Sequence, residues 1–185
     1  GALILSVCMG VRQSFGLFLP PMTLDLGIGR EAFALALALQ NLLWGLFQPL
    51  TGMIADRFGA GRVVVAGAAV YALGLIHMSG AATLFDLNLG AGLLVGFGTA
   101  ASGFAVVLGA VGRLVAAERR SMALGIVSAG GSFGQFVIAP AGQALIAAQG
   151  WPGALITLAL FAALMAPLAL ALAGRPDGQG QGEAP

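Results

Sequence analysis

The sequence predicts an all-α membrane protein built as a bundle of six transmembrane helices, and three observations predict it. Hydrophobic residues make up 59% of the 185 and charged residues only 8%, with a mean hydropathy of +0.98. A soluble domain carries roughly 25% charged residues to cover its surface, so the surplus apolar surface here must face lipid. Apolar runs of about 20 residues, the length that crosses a hydrocarbon core, recur along the chain. The breaks between them are short, charged and glycine-rich.

The first run is placed at 2–24 and ends at Asp25 to Glu31, which holds Gly27, Gly29 and the charges Asp25, Arg30 and Glu31. The second, 31–54, ends in the charged segment Ala55 to Gly61. The third, 62–80, ends at Ser79–Gly80. The fourth, 86–113, is closed by Leu114 to Arg120. The fifth, 121–148, is cut from the sixth, 152–173, by the turn Gln149-Gly150-Trp151-Pro152-Gly153. In lipid every backbone amide must be satisfied within its own segment, so each run is read as a helix. The polar tail from Gly174 to Pro185 reads as a linker. The chain opens on Gly1, without methionine and already inside an apolar run, so a fragment is expected.

Arginine sets the expected orientation. With the N-terminus inside, cytoplasmic segments hold Arg57, Arg62, Arg113, Arg119, Arg120 and Arg175, whereas the outer loops hold Arg30 alone. Both ends are therefore expected in the cytoplasm. All eight basic residues are arginine, which, with abundant Ala and Gly, suggests a GC-rich bacterial genome and an inner-membrane location.

Several chemistries are excluded. Cys8 has no partner cysteine, and the single histidine, His77, cannot build a metal cluster, so no metal or cofactor is expected. A net charge of +1 implies no nucleic-acid partner. The string Gly130-Gly131-Ser132-Phe133-Gly134 matches the hydrolase pattern G-x-S-x-G, but that elbow requires a strand–turn–helix context and this string lies within a helix. No enzyme is expected. His77 and Trp151 are read as interfacial side chains.

Polar residues are concentrated in helices one, two, four and five. In helix two, Gln40, Trp44 and Gln48 recur at i, i+4, i+8 with Asn41 beside them; in helix five, Ser128, Ser132 and Gln135 recur at i, i+4, i+7; in helix four, Thr99 and Ser102 stand at i, i+3. Such stripes line a wet cavity or join helices by hydrogen bonds. Helices three and six, poorer in polar residues, are expected to face lipid. Gly92/Gly96 and Gly130/Gly134, at four-residue spacing, are read as packing seams.

Arg12 is the one charge well inside a span. Its insertion costs about 2.5–3.5 kcal/mol on translocation scales, so it should face a cavity or a partner. Asp25, Glu31 and Asp86 lie near the outer surface, and Asp56 and Glu118 near the inner one, so no acid shares its depth. An arginine of this kind suits an anionic solute such as a carboxylate. Gln13 and Phe15 on the same helix, Gln40, Asn41 and Trp44 on helix two, and Ser128 and Ser132 on helix five complete the candidate substrate site. The competing reading pairs Arg12 with helix-end carbonyls or with an acid outside this chain.

The segment GMIADRFGAGR between helices two and three holds Gly52, Asp56, Arg57, Gly59 and Arg62 in the pattern G-x-x-x-D-R-x-G-x-x-R. Gly52 would permit close packing and Gly59 a sharp reversal, while Asp56 is placed to meet a helix N-terminus or an arginine, with Arg113 available. This loop resembles the signature loop of the major facilitator superfamily. The turn Gln149-Gly150-Trp151-Pro152 and the opening GVRQSFGLFLPP (Gly10 to Pro21) are similar to the monocarboxylate-transporter-like and oxalate–formate-antiporter-like branches. The resemblance implies one half of a major-facilitator fold, six helices as 3+3 inverted repeats out of twelve. It implies a secondary transporter working by alternating access, with Asp56, Arg57 and Arg113 as gating residues and Gly52 and Gly59 as structural enablers; the family carries a basic residue directly after the last glycine, whereas here Ala60 and Gly61 intervene before Arg62. The drug–proton antiporter pattern fits less well: Gly92 stands where those proteins carry arginine, and Gly130 to Phe136 lacks their Gly-Pro pair. The expected partners are a small anionic solute, H+ as candidate coupling ion, the lipid bilayer and a C-terminal six-helix half. Multidrug efflux, or a stand-alone six-helix scaffold or homodimer, are the alternatives.

Overall fold

The computed structural model describes residues 1–170. Helix one, Ala2–Leu26, is two segments, Ala2–Gln13 and Phe15–Leu26, meeting at Ser14. Helix two is Arg30–Phe58, helix three Ala60–Ser79 and helix four Leu84–Leu114. The remaining apolar stretch, Ala117–Leu170, is 54 residues long, far more than one crossing requires. Gly150 divides it with φ 72 and ψ 171, backbone that glycine adopts without a steric penalty, so residues 117–149 form helix five and residues 151–170 helix six. No strand is present among the described residues. The ends read for helix six at 171–173 and for the linker at 174–185 lie outside them.

Glycines set the close approaches. A Cβ at Gly96 would sit 3.1 Å from the Gln40 carbonyl oxygen, and one at Gly92 would sit 2.8 Å from Leu39 Cδ2, so helix four lies against helix two. At Gly130 a Cβ would fall 2.8–3.0 Å from Ala2, and at Gly134 it would overlap the Ser6 backbone, so helix five lies against helix one. The Ser6 hydroxyl donates across this seam to the Gly130 carbonyl at 2.6 Å. A third seam, not read from sequence, joins helices three and four through Gly67, Gly74 and Gly98.

Helix three departs from the lipid-facing expectation. Val64, Ala68, Tyr71, Leu75 and Met78 are fully buried, while Leu73 and Ile76 on the opposite face are exposed. A helix without a polar stripe still packs when small residues let neighbours approach it. Helix six is likewise split, with Leu155 and Leu158 buried and Leu160 and Leu164 exposed. Trp151 is 8% exposed, and its indole N–H donates to Asp25 Oδ2 at 2.9 Å, tying the start of helix six to the end of helix one. His77 Nε2 lies 3.7 Å from Asp86 Oδ1, beside the capping box that Thr83 and Asp86 form at the start of helix four.

Three irregularities interrupt the helices that carry the polar residues. At Ser14 the hydroxyl donates to Val11 O at 2.7 Å, and the Ser14 N–H is shared between Gly10 O and Val11 O. Helix four runs as a π-helix over Asn88–Leu94 and breaks between Val95–Ser102 and Phe104–Leu114. Near that break, the Thr51 hydroxyl of helix two donates to the Ala100 carbonyl at 2.8 Å.

Candidate functional site

Arg12 closes the first half of helix one, half-buried, two residues before the Ser14 break. Its Nη2 donates to Asn41 Oδ1 on helix two. Asn41 in turn donates through Nδ2 to the Leu37 carbonyl at 2.8 Å, which orients its oxygen as the acceptor. The guanidinium carbon stands 4.4 Å from the centroid of the Trp44 ring, a cation–π contact of about 0.5–2 kcal/mol depending on desolvation. Both partners are neutral. Among the described residues no carboxylate pairs with Arg12: Asp25 accepts from Trp151, Asp56 pairs with Arg113, and Asp86 lies with Thr83 and His77.

Several buried side-chain polar atoms of helices one, two and four lack a hydrogen-bond partner. Arg12 Nε, Trp44 Nε1 and Gln40 Nε2 are shielded from solvent and have no hydrogen-bond partner, as is Ser102 Oγ. The first three can only donate. Trp44 Nε1 faces the helix-four break, 3.4 Å from where a Cβ on Gly103 would stand. Unsatisfied donors beside a cation with neutral partners fit an acceptor-rich, negatively charged ligand.

The other residues read as substrate-binding are spread more widely. Gln40 is 2% exposed and faces helix four at Gly96. Phe15 is buried in the apolar core, its ring 6.4 Å from that of Phe18. Gln13 is exposed. Ser128 is half-buried and Ser132 exposed on helix five, and neither hydrogen-bonds to Arg12, Asn41 or Trp44 among the described residues. Sequence reasoning missed Tyr71. Its hydroxyl donates to the Cys8 carbonyl at 3.2 Å, one turn before Arg12. A lone tyrosine in an otherwise apolar helix was the available signal.

Asp56 accepts from Arg113 Nη1, joining the end of helix two to the end of helix four. Both side chains are half-exposed or more, so the pair adds about 0–1 kcal/mol to stability. Gly59 takes φ 95 and ψ 131, and its N–H bonds the Ala55 carbonyl at 2.9 Å, closing the reversal between helices two and three. Gly52 departs from the close packing read for it: a Cβ there would meet nothing within 4 Å. Arg57 lies over Phe58 at 5.4 Å, and Arg62 is exposed.

A family model of the Major Facilitator Superfamily matches residues 1–185. Monocarboxylate transporter 11 of Homo sapiens is 35% identical over 176 residues, covering 90% of this chain and 36% of that protein. Its Mus musculus counterpart is 34% identical over 168 residues, covering 87% and 37%. Monocarboxylate transporter 13 of Bos taurus is 29% identical over 186 residues, covering 94% and 43%. The chain thus spans well under half the length of these curated relatives. With membrane-spanning apolar helices and a family match along its whole length, the chain is an integral membrane protein that belongs to the major facilitator superfamily, a family of transporters, with monocarboxylate transporters among its relatives.

Proposed function

We propose that this chain is the N-terminal six-helix half of a secondary active transporter that moves a small organic anion, of the monocarboxylate class, by alternating access. The observation that carries this reading is the Arg12 group. An intramembrane guanidinium held by Asn41 and Trp44, with no carboxylate partner among the described residues and unpaired donors around it, is suited to a carboxylate. The relatives are named as monocarboxylate transporters, which agrees with this substrate class. Asn41 and Trp44 hold the arginine side chain in place. An arriving carboxylate takes the bidentate position that Asn41 occupies in part, and Gln40 and Trp44 supply further donors. Gln13, Ser128 and Ser132 are proposed as the outer part of the site, while Phe15 backs it from the apolar core.

Asp56 and Arg113, with Arg57 and Arg62 beside them, act as the cytoplasmic gate. A pair this exposed contributes little to folding, so its value lies in holding one conformer more than another. Leu42, Leu46 and Met53 on helix two and Phe133 and Phe136 on helix five are exposed apolar surface of the kind a second six-helix half or lipid covers. Arginine placement supports both ends of the bundle lying in the cytoplasm, and the all-arginine composition favours a bacterial inner membrane. H+ is the proposed coupling ion.

The test is exchange in proteoliposomes containing the full-length protein, with a panel of small carboxylates and neutral analogues inside and out. Saturable exchange of at least one carboxylate, absent for its amide, is expected. Exchange of neutral or cationic solutes alone refutes the reading.

A further inference from the structure

The position of the Arg12 guanidinium depends on the helix-one backbone that carries it, and a side chain from helix three hydrogen-bonds that backbone one turn earlier. Tyr71 is fully buried on helix three, and its hydroxyl donates to the Cys8 carbonyl at 3.2 Å. Cys8 stands four residues before Arg12, so its carbonyl is the one the helical ladder pairs with the Arg12 N–H. One residue before Arg12, the Val11 carbonyl accepts from Ser14 Oγ at 2.7 Å, immediately before the interruption of helix one. The turn carrying Arg12 therefore has side-chain anchors on both sides, one local and one from helix three. The tyrosine backbone is itself immobilised. A Cβ on Gly98 of helix four would lie 2.6–2.8 Å from Tyr71 Cβ, Cα and N, so helices three and four are in backbone contact at this level.

We propose that Tyr71 is a positioning residue for Arg12: through the Cys8 carbonyl it fixes the turn that presents the guanidinium to the anion, without touching the anion itself. The inference rests on the substrate role of Arg12. A buried hydroxyl is costly to leave unpaired, so the Tyr71 O–H is held to the Cys8 carbonyl. The ring alone would fill the space.

The test uses the full-length protein in proteoliposomes, with radiolabelled formate, acetate, lactate, pyruvate and oxalate as probes, following whichever is exchanged fastest. Tyr71→Phe keeps the ring and removes only the hydroxyl. It should raise KM by about three- to tenfold, the size of one neutral hydrogen bond, with Vmax changed less than about twofold. Arg12→Lys should raise KM by itself, and Tyr71→Phe should add nothing further in that background, because the two act through one group. A wild-type KM in Tyr71→Phe overturns the proposal, as does a fall in Vmax and melting temperature with KM unchanged. An equal, multiplicative KM effect of Tyr71→Phe in the Arg12→Lys background also overturns it, since the tyrosine would then act independently. If none of the anions is exchanged, or if Arg12→Lys and Arg12→Gln both keep the wild-type KM, the proposed function fails and this inference with it.

Discussion

Replacing Gly98 by alanine adds one methyl group where helices three and four touch, and the structure sets both the sign and the size of the effect. The new Cβ would stand 2.6 Å from Tyr71 Cβ, 2.7 Å from its Cα and 2.8 Å from its backbone nitrogen. None of these atoms can swing away by changing a rotamer. Reaching ordinary contact at about 3.4 Å requires one helix to retreat from the other, and overpacking of this kind costs about 1–3 kcal/mol. The alanine recovers up to about 1 kcal/mol from its better helix propensity, so a net loss of about 1–2 kcal/mol is expected. Gly45, with nothing within 4 Å of a Cβ, is the control: Gly45→Ala meets no clash and keeps the propensity gain. Denaturant or thermal unfolding of the purified full-length protein in detergent, followed by far-UV circular dichroism, separates the two. The expected order is Gly98→Ala below wild type and Gly45→Ala at or above it. Gly98→Ala as stable as wild type would refute the close helix three–four seam.

Asp56→Arg should impair transport, and Arg113→Asp combined with it should restore a measurable part of the rate, because the pair bridges helices two and four rather than stabilising the fold. Cytoplasmic accessibility of an engineered cysteine reads the gate directly, and no rescue in the double variant contradicts a role for the pair. Trp151→Phe keeps the aromatic body and removes the N–H that Asp25 accepts, with an expected loss of about 1.5–3 kcal/mol for a bond to a charged group. An unchanged unfolding midpoint would show that water replaces the indole at Asp25.

The class of the fold was legible because lipid allows few structures and each turn carried its own signal: Gly27 and Gly29 after helix one, Gly59 between helices two and three, Gly150 between five and six. All but Gly29 have positive φ. The paired glycines of helices four and five were legible as seams because small residues at four-residue spacing have one dominant use in membranes. The partners across those seams were not, since spacing on one helix does not say which helix faces it. The same gap hid Tyr71: its importance lies in the Cys8 carbonyl 63 positions away, and no periodicity on helix three points there. Arg12, Asn41 and Trp44 were legible as a group through depth and helical phase. Phe15 followed the apolar side of the same helix into the core. The breaks at Ser14 and Gly103 had only weak signals, because a serine or glycine within an apolar helix is usually tolerated without interruption.

In the proposed transport cycle Arg12 binds an anion on its way across the membrane. The measurement closest to it is carboxylate exchange by Arg12→Gln beside wild type, in proteoliposomes with matched protein content. Glutamine keeps a polar donor for Asn41 but loses the charge that Trp44 faces and a carboxylate needs. Exchange is expected to fall to background while the variant is expressed, inserts and unfolds as wild type does. Wild-type exchange by Arg12→Gln would contradict it.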